Sequence, residues 1–194
     1  MKKSTGSRKV KTAVFISGTG SNLKNLIKFS FIKSSPIHIN FVLSNNSNAK
    51  GLNFARINNI KYKIFNFKNE NKDENKILFY LKKKKINLIC LAGFMKILSR
   101  NFIKKFKGKI LNIHPSLLPK YKGLNTHKRA IKNKEKFSGC TVHYVNSRLD
   151  AGKIILKKKV KISNNETPKS LSKKVLKQEH LIYPKAIIKV IANL

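Results

Sequence analysis

Acidic residues are scarce in this 194-residue chain, which has seven Asp and Glu against 44 Lys and Arg. The formal net charge of +37 at pH 7 invites comparison with nucleic-acid-binding proteins. Lysine is, however, inflated together with asparagine and isoleucine, and these three residues with A/T-rich codons fill 84 positions. Selection for phosphate binding gives no reason to inflate Ile or Asn. We therefore attribute the charge to base composition and infer no nucleic-acid partner from it.

Long apolar segments are also absent. No run approaches the roughly 20 residues that a membrane-spanning helix needs. The basic start, 1–11, leads into only four apolar residues, 13–16, which are too few for the apolar region of a signal peptide. We therefore expect a soluble, cytoplasmic protein without a membrane partner. Hydrophobic residues still make up 41% of the chain, enough for a single domain over 1–194 whose residues 1–11 form a basic, flexible arm.

Cysteines are few, which bears on metal and redox chemistry. Cys90 and Cys140 stand apart in apolar runs, so we expect buried, inert thiols rather than a disulfide or a zinc site. Cys140 and His143 are three residues apart, a spacing that puts them on opposite faces of a strand. The other histidines have no ligand-like neighbour, so the sequence predicts no metal.

Short β-branched runs alternate with longer amphipathic stretches along the chain. This pattern is typical of βαβ units and a mostly parallel sheet. We predict an α/β fold in which a mostly parallel, twisted sheet is flanked by helices and followed by an antiparallel C-terminal extension. The predicted strands are 12–17, 37–43, 62–65, 87–92, 109–114, 141–145 and 153–160, and the predicted helices are 21–31, 49–58, 71–85, 99–106, a short helix ending at 133, and 168–191.

A glycine-containing loop, Gly18-Thr19-Gly20-Ser21-Asn22, joins the first predicted strand to the first predicted helix. Glycines permit a sharp turn and close backbone approach, and a helix with Ser21 as its N-cap would present free N–H groups to an anion. A dinucleotide site would require a third glycine where Leu23 stands and an acidic residue after the second strand, and both are missing. The loop is therefore suited to one phosphate, although an ordinary tight turn explains it equally well.

A second motif, Asn112-Ile113-His114-Pro115, lies at the end of the fifth predicted strand. Because side chains alternate along a strand, Asn112 and His114 share one face. In open α/β sheets, ligands bind at the carboxyl ends of the strands. An amide donor and an imidazole in that place can stabilise an oxyanion and transfer a proton. Taken alone, a hydrogen-bonded histidine in a turn would be the simpler interpretation.

Two acids attract interest because acids are so rare. Asp150 is one of only two aspartates, and before Ala151-Gly152 it either forms an ordinary turn or orients a histidine. Glu179 lies on the apolar face of the last predicted helix, with apolar residues three and four positions away on both sides. A carboxylate there needs a buried partner or a ligand amine, although a distant lysine would also serve.

In this order and spacing, these motifs resemble folate-dependent phosphoribosylglycinamide formyltransferases. The resemblance runs from about Lys11 to the C-terminus and is carried by the segments 15–23, 91–98, 111–121, 123–127 and 139–143. It implies a Rossmann-like formyltransferase fold. It also implies formyl transfer from 10-formyltetrahydrofolate to the amine of glycinamide ribonucleotide, a step of purine biosynthesis.

The resemblance further implies roles for individual residues. Asn112, His114 and Asp150 would be catalytic, and Glu179 would meet the substrate amine. The substrate phosphate would be bound by Gly18, Thr19, Gly20, Ser21 and Asn22, and the folate by Phe94, Met95, Lys96, Ile97, Leu98 and Asn112. The co-substrate would be 10-formyltetrahydrofolate, with no metal, and the protein would be a monomer or a homodimer.

Other functions remain open at this point. A formyltetrahydrofolate hydrolase or a tRNA formyltransferase would share the Asn-His-Asp arrangement, but we expect each to need a further domain. An RNA-binding protein would cluster its lysines with exposed aromatics, whereas lysine here occurs in nearly every segment. The chain also departs from the family pattern. The basic residues of 68–72 are all lysines where the family usually has an arginine, and Lys96 stands where another arginine is common.

Overall fold

The computed structural model describes residues 9–193, and these residues build one central sheet. Its strands are β1 (Val10–Ile16), β2 (Ile37–Ser44), β3 (Tyr62–Ile64), β4 (Leu88–Leu91), β5 (Lys109–His114), β6 (Phe137–Tyr144) and β7 (Ile154–Lys161). They are ordered β3-β2-β1-β4-β5-β6-β7. The first five pair in parallel, and β6 and β7 pair antiparallel. The predicted fold class, including the antiparallel extension, is confirmed.

Helices cover both faces of this sheet. They are α1 (Ser21–Phe31), α2 (Leu52–Ile57), α3 (Glu70–Lys83), α4 (Arg100–Lys105), α5 (Thr126–Lys132) and α6 (Pro168–Ile191). Alternate residues of β1 enter different cores: Val14 and Ile16 pack with α1, α2 and α6, while Ala13 and Phe15 pack with α3 and α4. Between residues 9 and 193, every helix is too short or too polar to cross a membrane.

The N-terminal boundary differs from the prediction. β1 begins at Val10 rather than Thr12, because residues 10–12 pair with Ile37 to Ile39 of β2. The N–H of Val10 also donates to the Pro36 carbonyl oxygen at 2.7 Å. The predicted flexible arm 1–11 is therefore wrong at its C-terminal end, where backbone pairing with a neighbouring strand holds it. Its residues 1–8 lie outside the described part of the chain.

The last helix combines a predicted start with an unpredicted contact. Thr167 caps α6, and Pro168 is its first residue. Further along, Pro184 lacks the N–H that would donate to the carbonyl of His180. Asn25 of α1 supplies the missing donor, with its Nδ2 at 2.8 Å from that carbonyl oxygen. The carbonyl that Pro184 leaves without a partner in α6 is therefore used for a hydrogen bond between α6 and α1.

Candidate active site

Three residues predicted to act together meet at the carboxyl end of β5. Asn112 and His114 lie on the same face of that strand, and Asp150 reaches them from the loop after β6. Its Oδ2 is 3.3 Å from His114 Nδ1, and its Oδ1 is 3.4 Å from Asn112 Nδ2. Asp150 and His114 are nearly buried, with 9% and 6% of their surfaces exposed. Their interaction is therefore little screened by water.

The contacts of His114 favour its charged form, whereas its burial favours its neutral form. Its Nε2 lies 2.8 Å from the Tyr121 carbonyl oxygen, so each ring nitrogen faces an acceptor. Only an imidazolium donates to both. Burial nevertheless lowers the pKa of His114, and the Tyr121 carbonyl and the Asp150 charge offset this only in part. Two acceptors thus favour the charged ring while burial favours the neutral ring, a balance that suits proton transfer.

Asp150 is held as a carboxylate. Burial raises its pKa, but the contacts with His143, the Gly123 N–H and His114 outweigh this and keep the pKa below its ordinary value. The Gly123 N–H donates to Oδ2 at 2.9 Å. The backbone of Asp150 has a left-handed φ of 46°, which aspartate tolerates better than most residues. A tight turn and one backbone donor thus direct the carboxylate at the histidine.

A fourth member of this cluster, His143, was considered in the sequence only as a metal ligand. The antiparallel register places His143 of β6 directly opposite Asn112. Its Nδ1 lies 2.8 Å from the Tyr144 carbonyl oxygen, and its Nε2 lies 3.2 Å from Asn112 Nδ2. The 3.6 Å from Nε2 to Asp150 Oδ1 is too long for a hydrogen bond.

The glycine loop differs from the prediction at its helix start. Gly20 occupies the N-cap position with a φ of 74°, and Ser21 is the first helical residue, so Ser21 is not the cap. A Cβ on Gly20 would lie 2.4 Å from the Cα of Gly51. Only glycine permits both this φ and this approach. Gly18 and Thr19 are exposed at the tip of the loop.

Glu179 has a partner in that same loop. Asn22 Nδ2 donates to Glu179 Oε2 at 2.6 Å, and both residues are more than nine-tenths buried. Burial raises the pKa of Glu179, and the hydrogen bond from Asn22 lowers it only in part. Among residues 9–193, neither a side chain nor a backbone group donates to Asn22 Oδ1. Asn22 Oδ1 and the Glu179 carboxylate, which are both acceptors, therefore lie close together.

The predicted folate segment, 94–98, is divided between surface and core. Met95 and Ile97 are 62% and 69% exposed, whereas Leu98 is buried with α3 and α4. Phe94 packs its ring against Phe15, with 5.4 Å between the ring centres. Met95 and Ile97 are thus the apolar side chains that a flat ligand could cover, while Leu98 anchors the segment.

A third buried acid, Glu74, was not singled out in the sequence. It is 3% exposed and accepts the backbone N–H of Ser99 at 2.8 Å as well as the Ser99 hydroxyl. The same hydroxyl accepts the N–H of Phe102, so Ser99 is the N-cap of α4. Glu74 thus fixes the residue that follows the segment 94–98. Helical spacing alone could not distinguish this role from a surface acid.

Both cysteines are buried and unpaired. Cys90 and Cys140 are free and fully buried. Burial raises the pKa of each thiol to about 12, which leaves almost no thiolate at neutral pH. Over the same described stretch of chain, no three His, Cys, Asp or Glu side chains are arranged to hold a metal ion.

Known proteins are similar to this chain in sequence and in fold. The family model described as formyl transferase matches residues 10–187. A phosphoribosylglycinamide formyltransferase of Haemophilus influenzae is 43% identical over 91% of this chain and 85% of its own length. The trifunctional purine biosynthetic protein adenosine-3 of Homo sapiens is 42% identical over 93% of this chain, which spans only 18% of that larger protein. The crystal structure of the Brucella melitensis phosphoribosylglycinamide formyltransferase is 39% identical and superposes with a TM-score of 0.90, covering 96% of this chain and 98% of that one.

Proposed function

The chain belongs to the formyl transferase family, and from this we propose that it transfers a formyl group from 10-formyltetrahydrofolate to the amine of glycinamide ribonucleotide, in purine biosynthesis. The observation that carries the proposal is the meeting of Asp150 with Asn112, His114 and His143 at distances of 3.3 to 3.6 Å. These residues come from two strands and a loop, so the fold assembles the cluster at the sheet edge where ligands bind in α/β proteins.

The chemistry begins when the amine nitrogen attacks the formyl carbon. A new C–N bond forms, and the carbonyl electrons move onto oxygen, which needs donors already in place. Asn112 is suited to this, since both contacts of its Nδ2 are long, at 3.2 and 3.4 Å. One of its N–H groups can therefore turn to the oxyanion at small cost. A protonated His114 adds positive charge beside the same atom.

The intermediate then collapses, and the bond from the formyl carbon to N10 of the folate breaks. The proton lost by the amine must reach N10. His114 supports this transfer because its charged form is favoured by Asp150 and Tyr121 and disfavoured by burial. Asp150 remains ionised throughout and holds the ring, either for direct transfer or for transfer through a water.

Glu179 and the glycine loop hold the ribonucleotide in this proposal. The Asn22 hydrogen bond fixes Glu179 beside the start of α1, where the amine can donate to the carboxylate. The backbone N–H groups of Gly18 to Asn22 offer donors to the phosphate, at the positive end of an 11-residue helix. The folate would cover Met95 and Ile97. We further propose a single formyltransferase domain acting in the cytoplasm, as a monomer or homodimer.

The test is a formyl-transfer assay that follows the absorbance of the released tetrahydrofolate product, with glycinamide ribonucleotide present or omitted. We expect product only when the ribonucleotide is present, and we expect His114→Ala to remove most turnover. His38→Ala is the matched control, since His38 is exposed near the start of β2, away from the site. Product without the ribonucleotide would indicate a hydrolase. Tight RNA binding at physiological salt without turnover would contradict the proposal.

A further inference from the structure

Ser17 lies where the strand order of the sheet reverses. It follows β1, whose neighbours β2 and β4 lead to opposite sides of the sheet. Loops that leave such neighbouring strands diverge and open a crevice. Ser17 is 8% exposed, and its backbone groups join the two sides: its N–H donates to the Gly93 carbonyl oxygen at 3.1 Å, and its carbonyl accepts Asn46 Nδ2 at 3.2 Å.

The hydroxyl of Ser17 adds a second set of links. It donates to the Asn45 side-chain oxygen and accepts the N–H of Met95 at 2.7 Å. Because Asn45 takes the hydroxyl proton, the oxygen lone pairs are left for Met95. A backbone hydrogen bond from Gly51 to the Gly18 carbonyl oxygen, 3.0 Å long, completes the junction. Ser17 therefore connects the loops that follow β1, β2 and β4.

Two of these loops are binding segments in the proposed function. The loop after β1 holds the phosphate, and the loop after β4, which contains Met95, faces the folate. We propose that Ser17 is a positioning residue that couples the two sites, so that a ligand on the glycine loop steadies the folate segment through the Ser17 hydroxyl. This inference rests on the proposed function for the identity of the two ligands.

The coupling follows from the number of contacts that Ser17 makes. A phosphate on Gly18 to Asn22 restrains the backbone that continues directly from Ser17. The hydroxyl carries that restraint to Met95 because the Met95 N–H has no other acceptor among the hydrogen bonds of the described residues. An alanine at position 17 keeps the backbone bond to Gly93 but releases Met95. The two segments would then be joined at one point instead of two.

Hydrogen exchange of the Met95 amide, measured by NMR on the full chain, tests the coupling directly. In the wild type we expect glycinamide ribonucleotide alone to slow this exchange. In Ser17→Ala the exchange is faster and the ribonucleotide no longer changes it. Ser30→Ala is the matched control, because Ser30 is equally buried but its hydroxyl donates only to the Ile27 carbonyl within α1. Asn45→Ala, which removes the acceptor of the hydroxyl proton, should reproduce the effect more weakly.

Kinetics give a second readout. Loss of one hydrogen bond that orders the folate segment should raise the KM for the formyl donor about three- to tenfold, with kcat retained and the Ser30→Ala values unchanged. The coupling is overturned if the ribonucleotide does not change the Met95 exchange rate in the wild type, or if it changes that rate equally in Ser17→Ala. The ribonucleotide could also slow Met95 exchange in a protein that shows no formyl transfer. That result would support the coupling and contradict the proposed function.

Discussion

Replacing Asp150 by asparagine tests the centre of the site with a change of one atom and one charge. Opposite charges 3.3 Å apart interact by about 5 kcal/mol at an effective dielectric constant of about 20, which bounds the loss of kcat at roughly 10⁴-fold. If the amide oxygen keeps the Gly123 N–H, the amide nitrogen takes the place of Oδ1 and meets the donor Nδ2 of Asn112. We expect kcat to fall between about 10²- and 10⁴-fold.

The assay is formyl transfer as a function of pH, beside a thermal melt. The Asp150 charge raises the pKa of His114, so its loss should lower that pKa further and move the pH dependence of kcat towards acid. Asp73→Asn is the matched control, because the only other aspartate lies in the first turn of α3. Asp150→Asn with a normal melt and more than about a tenth of wild-type kcat would refute this account of the site.

Three further predictions follow from buried or crowded positions. Glu179→Gln should abolish transfer yet raise Tm by a few degrees at pH 8. Because burial raises the pKa of Glu179 in the folded protein, the wild type loses stability as the pH rises from the unfolded towards the folded pKa, so this gain should shrink as the pH falls towards the ordinary glutamate value of 4.5. Glu74→Ala should cost about 2 to 3 kcal/mol in urea unfolding by leaving the Ser99 N–H and hydroxyl without their acceptor, whereas the exposed Glu70→Ala should cost less than about 0.5. Gly20→Ala should weaken ribonucleotide binding and lower Tm, since its Cβ would lie 2.4 Å from a backbone atom of the turn before α2; unchanged calorimetric affinity would contradict this.

Much of the fold was predictable because its signals are local. An amphipathic pattern with the helical period predicts a helix over 21–31, and a short β-branched run predicts a strand over 109–114. Both ranges agree with the structure. The cap at Thr167 placed the start of α6. β1 was placed two residues late, because Val10 and Lys11 are held by β2, and no pattern near the N-terminus reports that pairing.

The candidate site was predicted only in part, because local patterns place some of its residues and long-range pairing places the others. Asn112 and His114 could be placed together from strand periodicity alone. Asp150 joined them through the family resemblance, and Glu179 was recognised as a buried acid but not as the partner of Asn22. His143 was missed because its place beside Asn112 depends on the antiparallel register of β5 and β6. Such long-range pairings are invisible to local spacing.

The proline within α6 has a consequence for which ligands fit. Asn25 binds the carbonyl that Pro184 leaves free, and one turn earlier on α1 Asn22 binds Glu179. These two bonds prevent α6 from sliding along α1 without breaking both. Since α1 begins at the glycine loop, the span from that loop to the Glu179 carboxylate has a fixed length. If the loop and Glu179 bind the ribonucleotide as proposed, we expect a ligand to be selected by the distance between its anionic end and its amine, because a longer or shorter homologue could satisfy only one end.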